Sequence, residues 1–102
     1  MRFRVAIRFE VRGDLRFLSH RDTIRLFERA LARARLPIGF SQGFNPRPRM
    51  SLPLPRPVGV ASSCELLVVD LCEAIQPAEV VDRLVPQMPE GIRPLDAWRI
   101  ET

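Results

Sequence analysis

Arg2-Phe3-Arg4-Val5-Ala6-Ile7-Arg8-Phe9-Glu10-Val11-Arg12 alternates without a break, placing Phe3, Val5, Ile7, Phe9 and Val11 on one side and Arg2, Arg4, Ala6, Arg8, Glu10 and Arg12 on the other. A period of two over this length marks a strand buried on one face and solvated on the other. Four arginines fall on the solvated side, so the open face of the sheet this strand joins is expected to be strongly basic. Gly13 and Asp14 close the strand.

Working outward, Ser19 followed by Asp22 matches the capping pattern that opens a helix, and good helix formers continue to Leu36 before Pro37 stops them. Ile24, Phe27, Leu31 and Ala34 supply a buried stripe, broadened by Leu26 and Ala30. Ile38 to Phe40 reads as a short extended piece. From Met50 to Val60 the prolines Pro53, Pro55 and Pro57 remove three ladder donors, which confines the stretch to an edge strand or an extended arm. A polyproline-like spacer is the alternative, although Leu52, Leu54 and Val58 favour docking one side on the core. Gly59 to Ser63 reads as a turn and Cys64 to Cys72 as a central strand. Pro77 opens a second helix over Ala78 to Leu84, with Val80, Val81, Leu84 and Val85 as its stripe, and Pro86 and Pro89 end it. Ile92 to Ile100, which includes Leu95, Ala97 and Trp98, is the last strand. The order strand, helix, two extended segments, helix, strand predicts an α+β fold. It is the ferredoxin-like βαββαβ sandwich, an antiparallel sheet with both helices on one face and an open face carrying Arg2, Arg4 and Arg8.

A chain of 102 residues with 46% hydrophobic and 27% charged residues is expected to form a single domain over residues 1–102. No apolar run approaches the roughly 20 residues of a membrane helix, and the arginine-punctuated start lacks the features of a signal peptide, so a cytoplasmic location without membrane contact is expected. Cys64 and Cys72 have neither zinc-site nor CxxC spacing and cannot bridge within one strand, so both are expected to be buried free thiols. All sixteen basic residues are arginine. Residues 1–56 carry a net charge of +9 and residues 57–102 a net charge of −5, which together give the overall +4. That asymmetry points to a basic face meeting a polyanion, nucleic acid above all; the alternative is that the two halves neutralise each other across the sheet.

The segment from Phe40 to Ser51 reads as a site. Gly43 permits a positive φ, Pro46 and Pro48 stiffen the loop, Ser41, Gln42 and Asn45 offer neutral hydrogen-bonding groups, and Arg47 and Arg49 offer guanidinium forks for phosphate or carboxylate. Arg21, Arg25, Arg29 and Arg33 repeat every four residues along the first helix, a mutually repelling ridge that a bound polyanion would relieve. Its bland counterpart is a solvated basic face. His20, the single histidine, stands at the first turn of that helix. Beside Arg47 or Arg49 it would serve as a general base on a ribose hydroxyl; a capping or hydrogen-bonding role is the simpler alternative. Nucleophilic triads, P-loops, dinucleotide fingerprints and metal-ligand spacings are absent from the sequence, so no metal or cofactor is expected in this chain. Phe3 and Phe9 point to the core, which argues against a base-stacking sheet face. RNA would then be held by its phosphates, with bases reached only through Gln42 and Asn45.

Phe17-Leu18-Ser19-His20 with Asp22, Ser41-Gln42-Gly43-Phe44-Asn45-Pro46 with Pro48-Arg49, and Pro55 with Val58-Gly59-Val60 resemble a bacterial, radical-SAM-associated family of unknown function over residues 2 to about 100. The resemblance implies a radical S-adenosylmethionine protein as partner, encoded beside this domain or fused ahead of it, with the iron-sulfur cluster and S-adenosylmethionine residing in that partner. Members usually have an apolar residue in place of Arg21 and often histidine in place of Arg47, which leaves no second histidine here. They run to nearly twice this length, so the chain is expected to be an N-terminal half. Three functions follow as expectations. The first is an accessory module that binds tRNA or rRNA through Arg21, Arg25, Arg29, Gln42, Asn45, Arg47 and Arg49 and presents it to the enzyme. The second is a metal-independent, RAMP-like endoribonuclease with His20 as base, and the third a protein-interaction module alone.

Overall fold

β1 (Phe3–Val11) forms as its alternation predicts. In the computed structural model, which describes residues 3–53, 59 and 62–100 with the main chain alone for 62–64, β1 is a central strand. It pairs antiparallel with β3 (Ser62–Leu71) on one side and β4 (Ile92–Ile100) on the other. β2 (Met50–Ser51) pairs with β3, which gives the order β2-β3-β1-β4. α1 (His20–Arg33) connects β1 to β2, and α2 (Pro77–Leu84) connects β3 to β4. Val5, Ile7, Phe9 and Val11 of β1 and Leu67, Val69 and Leu71 of β3 pack with Phe27, Ala30 and Leu31 of α1 and Val80 and Leu84 of α2 in one cluster. Both helices therefore cover the same sheet face, and the fold is the expected ferredoxin-like α+β sandwich. Phe9 and Phe27 meet edge to face, ring centroids 4.8 Å apart, at the centre of this core.

Ser19 caps α1, its hydroxyl accepting from the Asp22 N–H at 3.1 Å. The helix ends at Arg33, ahead of the predicted stop at Pro37. The Leu36 N–H reaches back to the Leu31 carbonyl and the Arg35 N–H to that of Ala32, while Arg35 takes a left-handed φ of 56°. This is a Schellman turn with an arginine where glycine is usual. The Arg83 guanidinium donates to the carbonyls of Ala34 and Arg35 and closes the joint.

Several expectations are corrected. β3 begins at Ser62, so Ser62 and Ser63, expected at the end of a turn, belong to the strand. Cys72 lies past the strand and is exposed, its thiol 3.5 Å from the Ile38 carbonyl oxygen. The Cys64 side chain, Arg2 and the arm residues Leu54, Pro55, Arg56, Pro57, Val58 and Val60 lie outside the described residues. Val85 is exposed because the chain tightens into a 3-10 turn (Val85–Gln87) and rotates it off the α2 stripe. The open face is also less basic than expected. Arg4 pairs with Asp70 at 2.9 Å and Arg8 with Asp96 at 3.0 Å, so the acidic half of the chain neutralises both arginines across the sheet.

Candidate functional site

The segment Phe40–Ser51 folds as a hairpin whose legs converge on one residue of β3. The Gly39 N–H donates to the Asp70 carbonyl at 2.8 Å, the Asp70 N–H to the Arg49 carbonyl at 2.9 Å, and the Arg49 N–H to the Gly39 carbonyl at 2.8 Å. Ile38 bridges Leu71 and Phe40 bridges Pro48. Further out, the Ser41 N–H donates to the Arg47 carbonyl at 2.8 Å and the Ser41 hydroxyl accepts from the Arg47 N–H at 3.0 Å. The base is thus cross-braced, as the stiffening prolines suggested, and Ser41, expected to offer its hydroxyl to a ligand, commits it to the brace. The tip turns through Gly43 at φ 128° and leaves Gln42, Phe44, Asn45 and Arg47 exposed. Phe44 is fully solvent-accessible, and Phe40 is more than half exposed.

Arg49 differs from Arg47. It is half-buried and lines a shallow depression on the open face with Arg4, Met50, Ser51, Val68 and Asp70. Its Nε donates to the Phe40 carbonyl at 3.3 Å, and its terminal nitrogens have no further partner among the described residues. Asp70 is 5% exposed and holds the Arg4 Nε. The depression therefore contains two guanidinium groups and one carboxylate, a net positive site.

Arg21, Arg25 and Arg29 are exposed along α1, and among the described residues nothing accepts a hydrogen bond from them, Asp22 and Glu28 included. Arg33, the fourth of the row, donates to the Gln87 carbonyl at 2.7 Å. The ridge ends where α1 leads through Ala34–Leu36 into the hairpin, so its Arg29 end is the one nearer Arg47. His20 is exposed at the opposite end of α1. Fourteen residues of helix, about 20 Å of axis, stand between it and the turn into the hairpin. The structure therefore brings Arg49 to the sheet and Arg47, Gln42 and Asn45 to one loop tip, but does not bring His20 to either arginine. A second depression, of about 870 Å³, lies between the 3-10 turn Gly13–Phe17 and the segment ahead of β4, and no predicted site residue lines it.

Sequence reasoning left Trp98 unassigned. In β4, Ile92 and Pro94 face the core opposite Val11 and Phe9, yet beyond Leu95 the register shifts so that Asp96 faces Arg8 and Trp98 faces Ala6. The bulge exchanges the faces of the even-numbered residues. Trp98, 44% exposed, consequently stands on the open sheet face with Arg4, Ala6 and Arg8. A proline in the middle of a strand pattern was the available signal.

The sequence model of a family described as "Uncharacterized protein conserved in bacteria (DUF2344)" matches residues 4–102. The chain belongs to that family. A comparison with curated proteins gave no match. The matched span contains α1, the hairpin and the whole described sheet but for Phe3, so the surface that carries the arginine ridge is family sequence throughout. Among the described residues no helix is long and apolar enough to cross a membrane, and no cluster of three metal-ligating side chains forms.

Proposed function

We propose that this domain is a non-catalytic module that binds structured RNA, tRNA or rRNA, through its phosphates and presents it to a radical S-adenosylmethionine enzyme. The partner is implied by the resemblance of the Ser41–Pro46 and Phe17–Asp22 motifs. The RNA rests on one observation: Arg21, Arg25 and Arg29 stand in a row on α1 without an acceptor among the described residues, while Arg4, Arg8, Arg12 and Arg83 are all paired with carboxylates. A row of unpaired guanidinium groups at helical spacing fits a polyphosphate, whose binding releases counterions and offsets the repulsion within the row. Gln42, Asn45 and Arg47 extend the surface at the hairpin tip, while Arg49 adds a separate cationic group on the open sheet face. Fluorescence anisotropy with labelled bulk tRNA tests the reading. Binding should fall steeply with salt, and Arg47→Ala with Arg49→Ala should weaken it; affinity indifferent to both would refute the RNA role.

One observation favours a protein contact at the hairpin tip as well. Phe44 is fully exposed at the end of a braced hairpin, a position in which an aromatic side chain gains nothing from its own fold. Docking of Phe44 on the partner enzyme predicts that Phe44→Ser abolishes co-purification with the enzyme, with tRNA affinity unchanged.

A further inference from the structure

The open face of the sheet carries an exposed ring on β4 and a cationic depression toward β2. Across the row at Ala6, the chain places Ser51 of β2, Val68 of β3, Ala6 of β1 and Trp98 of β4 side by side. Ala6 is only 1% exposed although it lies on this face, because the longer neighbours on both sides rise above it. The accessible apolar surface of this row is therefore that of Val68 and of the indole at its margin. Two residues along β1, on the same face, stands Arg4, the diagonal neighbour of Trp98, about 7–8 Å from it between Cα atoms. Arg4 donates its Nε to Asp70 and has no other partner among the described residues, so its terminal nitrogens are open. Arg49 is held in the same manner, by its Nε on the Phe40 carbonyl, and both arginines line the depression that Ser51 borders. Two forks fixed at Nε, their Nη groups without a partner among the described residues, and a hydroxyl have the chemistry of a phosphate receptor.

We infer that the open sheet face is a site for single-stranded RNA, with a base stacked on Trp98 and a phosphate further along the same RNA strand, about 14 Å away across the sheet, held by Arg4, Arg49 and Ser51. The inference rests on the RNA reading above and deepens it. The α1 ridge would grip phosphates without regard to sequence, whereas the sheet takes an unpaired nucleotide, so the module would favour a loop or a single-stranded end over a duplex. The partial neutralisation of Arg4 by Asp70 suits this division, since it fixes the fork's direction while reducing non-specific attraction. It also changes the expectation drawn from Phe3 and Phe9, because the stacking ring comes from the last strand instead of the first.

Trp98 is the single tryptophan and the chain contains no tyrosine, so intrinsic fluorescence reports on this residue alone. The test titrates the protein with a 5′-labelled single-stranded oligoribonucleotide, following label anisotropy and indole emission together. Expected are a rise in anisotropy, parallel quenching of the indole, and a loss of affinity of about 5–150-fold in Trp98→Ala, the range that one stacked base contributes. Trp98→Phe should recover most of that loss, which separates stacking from damage to the sheet. A rise in anisotropy without quenching, with Trp98→Phe and Trp98→Ala binding as the parent does, would overturn the sheet site and leave the ridge reading intact. No rise in anisotropy with either the oligomer or tRNA would remove both.

Discussion

At Asp70 the main chain and the side chain serve different partners. The N–H and carbonyl hold the two legs of the hairpin, and the carboxylate fixes Arg4 in the depression. Asp96 has the same formal role toward Arg8 but is more than half exposed, whereas the Asp70 side chain is 7% exposed. Exposed pairs contribute about 0.2–1 kcal/mol and charge-assisted bonds sheltered from water about 1.5–3. Denaturant titration should accordingly show Asp70→Ala losing about 1.5–3 kcal/mol and Asp96→Ala less than about 1. Arg35 and Gly91 form a second contrast. Arg35 holds a left-handed φ that glycine adopts without strain, so Arg35→Gly should stabilise the protein by about 0.5–1 kcal/mol. Gly91 has φ 103° and a Cβ there would stand 2.8 Å from the Arg12 carbonyl oxygen, which itself lies at the β1–β4 junction. Gly91→Ala should cost about 1–3 kcal/mol in the same titration. Neither backbone state was legible in the sequence, because φ at an arginine or a glycine is set by the turn around it.

For the elements, α1 was the most legible. Ser19 and the Phe27, Ala30, Leu31 stripe fixed its start and its buried side, and the arginines fell by default on the other. Phe27→Ala should cost about 3–5 kcal/mol, because the cavity opens against Phe9 at the centre of the core. The ridge makes a less usual prediction. Arg25 lies between Arg21 and Arg29 at helical spacing, so Arg25→Gln removes two repulsive contacts and should raise stability by about a few tenths of a kcal/mol while weakening tRNA binding. A solvated basic face predicts the first effect without the second. β4 was legible in its bounds but not in its faces. The same parity that put Ile92 and Pro94 inside would have buried Trp98, and only the bulge at Leu95 turns it out. The hairpin was legible in its turn residues, Gly43, Pro46 and Pro48, but not in the Ser41–Arg47 brace. Its attachment to Asp70 was not, since nothing local to residues 38–49 specifies which strand they meet.

At the scale of the whole molecule, the charge asymmetry between the two halves resolves into two arrangements. Across the sheet the halves neutralise each other through Arg4 with Asp70 and Arg8 with Asp96. On the helix layer the ridge of Arg21, Arg25 and Arg29 finds no carboxylate among the described residues. The net charge of +4 therefore understates how strongly one surface is cationic. The ferredoxin-like order of elements was readable because β1, α1 and α2 kept their own periods and the β4 bulge left that strand's bounds intact, yet fold alone names no partner. The partner reading stands on the ridge, and the most direct measurement of it is tRNA affinity across a salt series for the parent chain and for the variant Arg21→Gln, Arg25→Gln, Arg29→Gln. A phosphate-binding ridge predicts a linear fall of log affinity with log salt, and a slope smaller by about 2–3 in the variant, one counterion equivalent per arginine lost. Equal slopes for the two proteins, or no dependence on salt in either, would contradict it.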